Sequence, residues 1–305
     1  MVSFFSRRLL HGFLVLWVVA SLTFILLRLA PGGPFDRERK LPPAVLANIE
    51  AKYHLDEPLA KQYLRYLSGL LHGDFGPSYK YLDRGVNDII RDTLPTSILL
   101  GIFAIAFALA VSLPLGLLAA YFRGSWIDRC CMLIAAMGIS LPHFILGALL
   151  IWTFALQLGW LQAGRWDTAS SAVLPAVTLG AAPAAYLAAL VRSTLLEALG
   201  EDFIRTARAK GVKETVVVLK HALSHSLVPV LTVMGPLTAA LLTGSFVVEY
   251  VFAIPGMGRF FITAVTDRDY PLIMGVTLVY TALLVGANLL VDLLYGYLDP
   301  RIRTG

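Results

Sequence analysis

The chain has 305 residues, 57% of them hydrophobic and only 15% charged, with a mean hydropathy of +0.73. A globular domain is nearer ~45–50% apolar and ~25% charged, so too little polar surface is available for a soluble enzyme, a disordered regulator or a nucleic-acid binder. The net charge of +5 reads instead as basic cytoplasmic loops, and the two adjacent cysteines, Cys130 and Cys131, make neither a disulfide framework nor a four-cysteine zinc site.

Six apolar stretches stand out, at residues 9–29, 95–121, 132–158, 172–191, 227–252 and 272–297. Crossing ~30 Å of hydrocarbon takes about 20 apolar residues, so the pattern predicts an all-α integral membrane protein with six transmembrane helices. The first stretch follows Arg7 and Arg8 as a secretory signal would. Its apolar run exceeds the usual ~7–15 residues and no small-x-small cleavage site follows, so an uncleaved span is expected.

Between the first two spans lies a long outer segment, residues 31–94. One helix is expected after Pro42 and Pro43, through Leu46, Ile49 and Tyr53. A second starts at Asp56 with Pro58 in its first turn and stops at Gly73. Its apolar face is Leu59, Tyr63, Tyr66, Leu67, Leu70 and Leu71, with Lys61 and Arg65 opposite. Such a pair serves either as a lid on the outer membrane face or as a docking surface for an extracytoplasmic partner.

Lys and Arg set the orientation. With the N-terminus inside, the cytoplasmic side carries Arg7, Arg8, Arg123, Arg129, Arg192, Arg205, Arg208, Lys210, Lys213, Lys220, Arg301 and Arg303. The short outer loops carry Arg165, Arg259 and Arg268. Twelve against three places both termini in the cytoplasm.

The segment between spans four and five, residues 201–211, opens with Glu201 and Asp202, closes with Arg208 and Lys210, and is followed by Gly211. Acids at the start, bases at the end and a glycine beyond describe a capped helix of about 15 Å, too short to cross a bilayer. Phe203 and Ala207 share one face, and the small Ala207 and Ala209 permit close approach of another protein. Two readings fit: a helix that takes force from a soluble partner, or an amphipathic helix lying in the membrane interface.

Sites for chemistry are missing. No phosphate-binding G-x-x-x-x-G-K-[ST] loop and no G-x-S-x-G elbow occurs, and Gly256-Met257-Gly258 reads as a tight outer turn after Pro255. His221 and His225 lack a third metal ligand nearby. The chain is expected to be no enzyme and to hold no cofactor or metal of its own. Arg28, Glu249 and Asp292 are the ionisable groups in or near the spans, all toward span ends. Glu249 is expected either to be paired structurally or, with Pro255 and Gly256, to stand at the outer mouth of a path; Asp292 is expected to pair with a basic inner-loop residue. No carboxylate is placed to couple protons or sodium at mid-depth.

Several segments together resemble a known family. Arg205-Thr206-Ala207-Arg208-Ala209-Lys210-Gly211 followed by His221-Ala222-Leu223 is similar to the E-A-A-x-x-x-G loop of ABC importer permeases, in the form it takes in the peptide branch. Glu249-Tyr250-Val251-Phe252-Ala253-Ile254-Pro255-Gly256-Met257-Gly258, Arg268-Asp269-Tyr270-Pro271, the stretch from Asn288 to Tyr295 and Asp299-Pro300-Arg301-Ile302-Arg303 match as well. So do Leu41-Pro42-Pro43, Ile49-Glu50-Ala51-Lys52-Tyr53-His54-Leu55 and Gly73-Asp74-Phe75-Gly76-Pro77-Ser78, which resemble the B-type permease subunits of oligopeptide importers. Arg205, Thr206, His221 and Ser224 stand where many families have Glu, Ala, Ile and Pro; the first three fit the peptide branch.

The resemblance implies the type I ABC permease fold, a core of five spans with the first wrapped around a partner subunit. It implies an anchor helix over 1–30, a periplasmic segment over 31–94, a permease core over 95–298 and a cytoplasmic tail over 299–305. The short inner helix, about 201–211, becomes a coupling helix seated in a cytoplasmic ATPase, with Phe203, Arg205, Thr206, Ala207, Ala209, Lys210 and Gly211 as its coupling residues. Expected partners are a second homologous permease, two ATPase subunits that bind ATP and Mg, a periplasmic peptide-binding protein and membrane lipids, in a bacterial inner membrane. The expected cargo is oligopeptide. Alternatives are a dipeptide or nickel importer of the same superfamily, or a secondary transporter working without an ATPase, for which a coupling helix has no use.

Overall fold

The computed structural model describes residues 2–35, 43–81, 83–242 and 244–298. Among them every regular element is a helix, and the one backbone pairing of strand type is an isolated antiparallel bridge between Pro77 and Gly85. Five helical stretches are long and apolar enough to cross a membrane: 6–29, 86–121, 169–200, 214–242 and 270–290. A sixth candidate is a pair of helices, 126–140 and 143–157, bent by 109°. Counted as one broken span it brings the total to six.

That break corrects the continuous third span expected over 132–158. α5 (Trp126–Ser140) stops at Leu141, whose ψ of 122° is extended, and α6 (His143–Leu150) starts only after Pro142. Proline lacks the N–H that a continuing helix needs and drives the preceding residue out of the α region. A π-helical stretch, Ile151–Gln157, completes the second arm. The fifth expected span, 227–252, is corrected too. α10 (Leu223–Leu242) ends before Gly244, which adopts φ +72°, and the chain resumes in a separate short helix, α11 (Phe246–Val251). The second span also begins earlier than expected. α4 (Val86–Tyr121) runs through the anticipated 94/95 boundary, and its first two turns carry Asn87, Asp88, Arg91 and Asp92. Thirty-six residues at ~1.5 Å each exceed the ~30 Å of hydrocarbon, so polar early turns fit outside it.

The chain divides into two compact units. The first comprises residues 1–96 and 256–305. In it α1 (Val2–Leu29) packs along α13 (Tyr270–Leu298), and α12 (Met257–Asp267) packs beside α13. Its core gathers Val86, Ile89, Met257, Leu272 and Val276. The outer segment supplies α2 (Pro43–Lys52) and α3 (Leu59–Leu71). On α3 the expected apolar face holds for Tyr63, Tyr66, Leu67 and Leu70, which are partly buried, whereas Leu59 and Leu71 remain exposed. Asp269, fully buried, fastens the outer segment to the start of α13. It accepts hydrogen bonds from the Ser78 hydroxyl, from Tyr79 N–H at 3.1 Å and from Leu272 N–H at 3.3 Å. Its neighbours act on a second loop, with Arg268 donating to Gly33 O and Tyr270 to Gly32 O, each at 3.2 Å.

The second unit, residues 97–255, is built around α7 (Val173–Gly200), which packs against both α5 and α10. α4 also lies against α7, and a small residue sets how closely. A Cβ on Gly116 would lie 2.7 Å from Ala188 O and from Val191 Cβ, so the helices meet almost backbone to backbone. Leu187, Val191, Ala108 and Val230 fill one layer of this core, and Leu100, Leu179, Phe252 and Ile254 another.

Candidate functional site

The inner segment folds as α8 (Asp202–Ala209), an amphipathic helix with acid at its start and base at its end. Glu201 precedes it in extended conformation, φ −72° and ψ 154°. The C-terminal turn is a Schellman motif: Gly211 N–H bonds Arg208 O at 2.9 Å and Val212 N–H bonds Ala207 O at 3.2 Å. Gly211 makes that turn at φ +75°, a conformation costly for any residue with a Cβ. The predicted cap is therefore present, with its hydrogen bonds assigned.

Ile204, 0% exposed, plugs α8 into a cluster with Ala120, Leu195, Ala198, Val217 and Ala222. Leu195 and Ala198 belong to α7. Val217 and Ala222 belong to a π-helical stretch, Val217–Ala222, that follows the short α9 (Glu214–Val216) and leads into α10. Ala207 is partly buried and packs on the same cluster. Phe203, Arg205, Thr206, Ala209, Lys210 and Gly211 are exposed. Phe203, 40% exposed, makes an edge-on contact with the His225 ring at 5.2 Å between centroids. Arg208 closes the end of the segment on Glu214 through two hydrogen bonds, 3.1 and 2.6 Å, while Arg205 meets Asp202 at 3.2 Å. The sequence pattern thus placed the helix and its C-terminal cap, whereas Ala207, expected beside Phe203 on the face open to another protein, packs instead on the cluster that Ile204 anchors.

The outer candidates differ from one another. Glu249 is 0% exposed, and the Ser97 hydroxyl donates to its Oε1 at 2.8 Å. Gly244 lies so close that a Cβ there would stand 2.6 Å from the same oxygen. Pro255 is exposed, and Gly256 is buried as the residue preceding α12. The side chains of residues 291–298, Asp292 among them, and the motif 299–303 lie outside the described residues. Among the described residues no group of three or more His, Cys, Asp and Glu is placed to hold a metal ion.

A further constellation joins α5 to α7. Arg192 on α7 donates from Nε and Nη2 to the two oxygens of Asp128, at 2.7 and 2.8 Å, and Gly124 N–H adds a third bond at 2.9 Å. Asp128 is 5% exposed. A lone acid beside Arg123 and Arg129 was the available signal; its partner 64 residues away gave none.

Comparison with known proteins agrees with this architecture. Residues 112–304 match the family described as binding-protein-dependent transport system inner membrane component, and residues 1–101 match the N-terminal region of such membrane components. The oligopeptide transport system permease protein OppB of Haemophilus influenzae is 45% identical over 305 residues, 99% of this chain and 100% of that protein. The protein of the same description in Escherichia coli K12 is 42% identical over 305 residues, again 99% of this chain and 100% of the relative. The dipeptide transport system permease protein DppB of Bacillus subtilis is 47% identical over 286 residues, 94% of this chain and 93% of its own length. A chain of the inward-facing MetNI methionine ABC transporter shares the fold, with a TM-score of 0.52 at 22% identity over 67% of this chain and 95% of that one. With one family spanning most of its length and relatives this similar from end to end, the chain belongs to the binding-protein-dependent permeases, the inner-membrane, multi-pass subunits of ABC transport systems.

Proposed function

We propose that this chain lines part of the translocation path of an ATP-driven importer that takes up oligopeptides delivered by a periplasmic binding protein. The observation that carries the reading is α8. It is held from within by Ile204, locked at its end by the Gly211 turn, and presents Phe203, Thr206, Ala209 and Lys210 outward. Because Ile204 packs on both α7 and the 217–222 stretch, a push on α8 reaches the inner ends of two spans at once. A carrier driven by an ion gradient has no need of such a part.

On this reading α8 and its cap, residues 201–211, dock in one of two cytoplasmic ATPase subunits, which bind ATP and Mg and perform the hydrolysis. A second, homologous permease subunit completes the path. Both termini lie in the cytoplasm, residues 31–94 face the periplasm, and Glu249, Pro255 and Gly256 belong to the outer side. The permease core runs over 95–298, after an anchor helix over 1–30.

The cargo follows from the relatives described as oligopeptide permeases. The 47% identity to a dipeptide permease favours a second reading, with dipeptides as cargo. Disrupting the gene should abolish uptake of a radiolabelled tri- to pentapeptide and confer resistance to toxic peptide analogues. Loss of dipeptide uptake alone would select the second reading, and unchanged uptake of both would overturn the peptide assignment.

A further inference from the structure

A cavity of ≈ 360 Å³ opens in the first unit, walled by Phe24 and Arg28 of α1, Lys52 at the end of α2, Tyr66 of α3, and Tyr79 and Pro271. Two polar atoms of its wall residues are buried without a hydrogen-bond partner: Arg28 Nη1 and the Tyr66 hydroxyl. The rest of the Arg28 guanidinium is accounted for. Nε and Nη2 both donate to Gln62 Oε1, at 3.2 and 2.7 Å, and the group lies 4.9 Å from the Phe24 ring centroid and 5.2 Å from that of Tyr270. These are neutral partners, so the arginine charge meets no carboxylate among the described residues. Lys52 brings a second cation, extended over the Tyr53 ring. Arg65, also on the wall, is spent on Glu57 at 2.8 Å, and the one wall carboxylate among the described residues, Asp74, accepts from Gly76 N–H at 2.9 Å.

A buried charged donor left unbonded is unfavourable, and native structures complete such groups with a ligand or water. The wall here asks for an oxyanion with more than one acceptor oxygen. Burial, reinforced by Tyr63, pushes the Tyr66 phenol above its ordinary value of 10.0, so its hydroxyl stays a donor at all physiological pH. The Tyr79 phenol is likewise pushed up to about 12 by burial, against the pull of Arg28.

Position indicates the source of the anion. Arg28 lies one residue before the end of α1, whose neighbouring Leu22, Ile25, Leu26 and Leu29 are half or more exposed. In a membrane protein acyl chains or a neighbouring span cover such residues within the hydrocarbon layer, which brings Arg28 to the depth of the headgroups. We propose that the cavity binds the phosphodiester headgroup of a membrane lipid, with Arg28 Nη1 and the Tyr66 hydroxyl donating to its oxygens and Lys52 adding charge. The site depends on membrane insertion alone; neither the cargo nor the role of α8 bears on it.

The test uses the full chain purified in detergent and stripped of lipid, with retained adducts read by native mass spectrometry. Dilauroyl-phosphatidylglycerol should be retained by the wild type and lost about 10-fold more readily from Arg28→Gln, the scale of one charge-assisted hydrogen bond. Tyr66→Phe removes only a hydroxyl that has no protein partner. Its unfolding temperature without lipid should match the wild type while lipid retention falls several-fold, which keeps the site testable if Arg28→Gln misfolds. Dilauroylglycerol, with the same tails and no phosphate, should show no dependence on either residue. Equal lipid retention in wild type and Tyr66→Phe would overturn the proposal. So would Arg28-dependent binding of inorganic phosphate or of a tripeptide as tight as that of the lipid.

Discussion

Asp128 and Arg192 form a two-pronged pair with the acid almost fully enclosed and the guanidinium 30% exposed. Such pairs contribute little net stability when compared with apolar replacements, but removing one partner strands the other. Asp128→Asn should therefore destabilise the folded chain by about 1–3 kcal/mol, discounted from the fully buried case because Arg192 still reaches solvent. The double variant Asp128→Asn/Arg192→Gln should cost less than the sum of the single variants, as read from thermal unfolding in detergent. Additive costs would show that the pair carries no coupling. Residues of this kind were illegible in the sequence. Asp128, Ile204, Asp269 and Ser97 each draw their role from a distant partner, whereas hydropathy and spacing report only on neighbours. Glu249 stood out as a charge near a span end, but its burial against Ser97 and Gly244 depends on the turn after α10, which the apolar run concealed.

Elements were legible where their signals are local. The extent of α8 and its C-terminal cap were recoverable because its charges and terminal glycine lie within eleven residues, while its anchorage through Ile204 was not. α1, α7 and α13 followed from unbroken apolar runs. The third and fifth spans did not, because hydropathy measures how much apolar chain is present and says nothing of its direction. Pro142 turns the chain by 109° without changing composition, and Gly244 ends α10 inside a run that stays apolar to Phe252. The same geometry makes Gly211 a discriminating position. Proline there would impose φ near −65° on a residue at +75° and delete the N–H that bonds Arg208 O. Asparagine tolerates the left-handed region. Gly211→Pro should abolish stimulation of ATP hydrolysis by the loaded binding protein in the assembled transporter, and Gly211→Asn should retain most of it. Equal stimulation in both would remove α8 from the coupling path.

At the scale of the molecule, composition alone settled membrane residence, while orientation rests on the distribution of basic residues. The two segments outside the bilayer carry opposite assignments: α3 in the outer segment and α8 at the inner face. Both offer exposed positions for labelling. The Lys61 side chain is 64% exposed and its ion pair with Glu57, at 3.1 Å, is one that Arg65 also makes, so Lys61→Cys leaves the local fold supported. Ala209 is exposed at the end of α8, just before the Gly211 turn. Both native cysteines are first replaced by serine, because Cys130 is exposed. In cells with a permeabilised outer membrane, an impermeant maleimide should then modify Lys61→Cys without lysis and Ala209→Cys only after lysis. The two probes fail independently. Labelling of Ala209→Cys in intact cells would invert the topology, because a helix facing the periplasm has no ATP to couple. Protection of Lys61→Cys before and after lysis would instead mean that α3 is covered by a stable partner, leaving the orientation to the α8 probe.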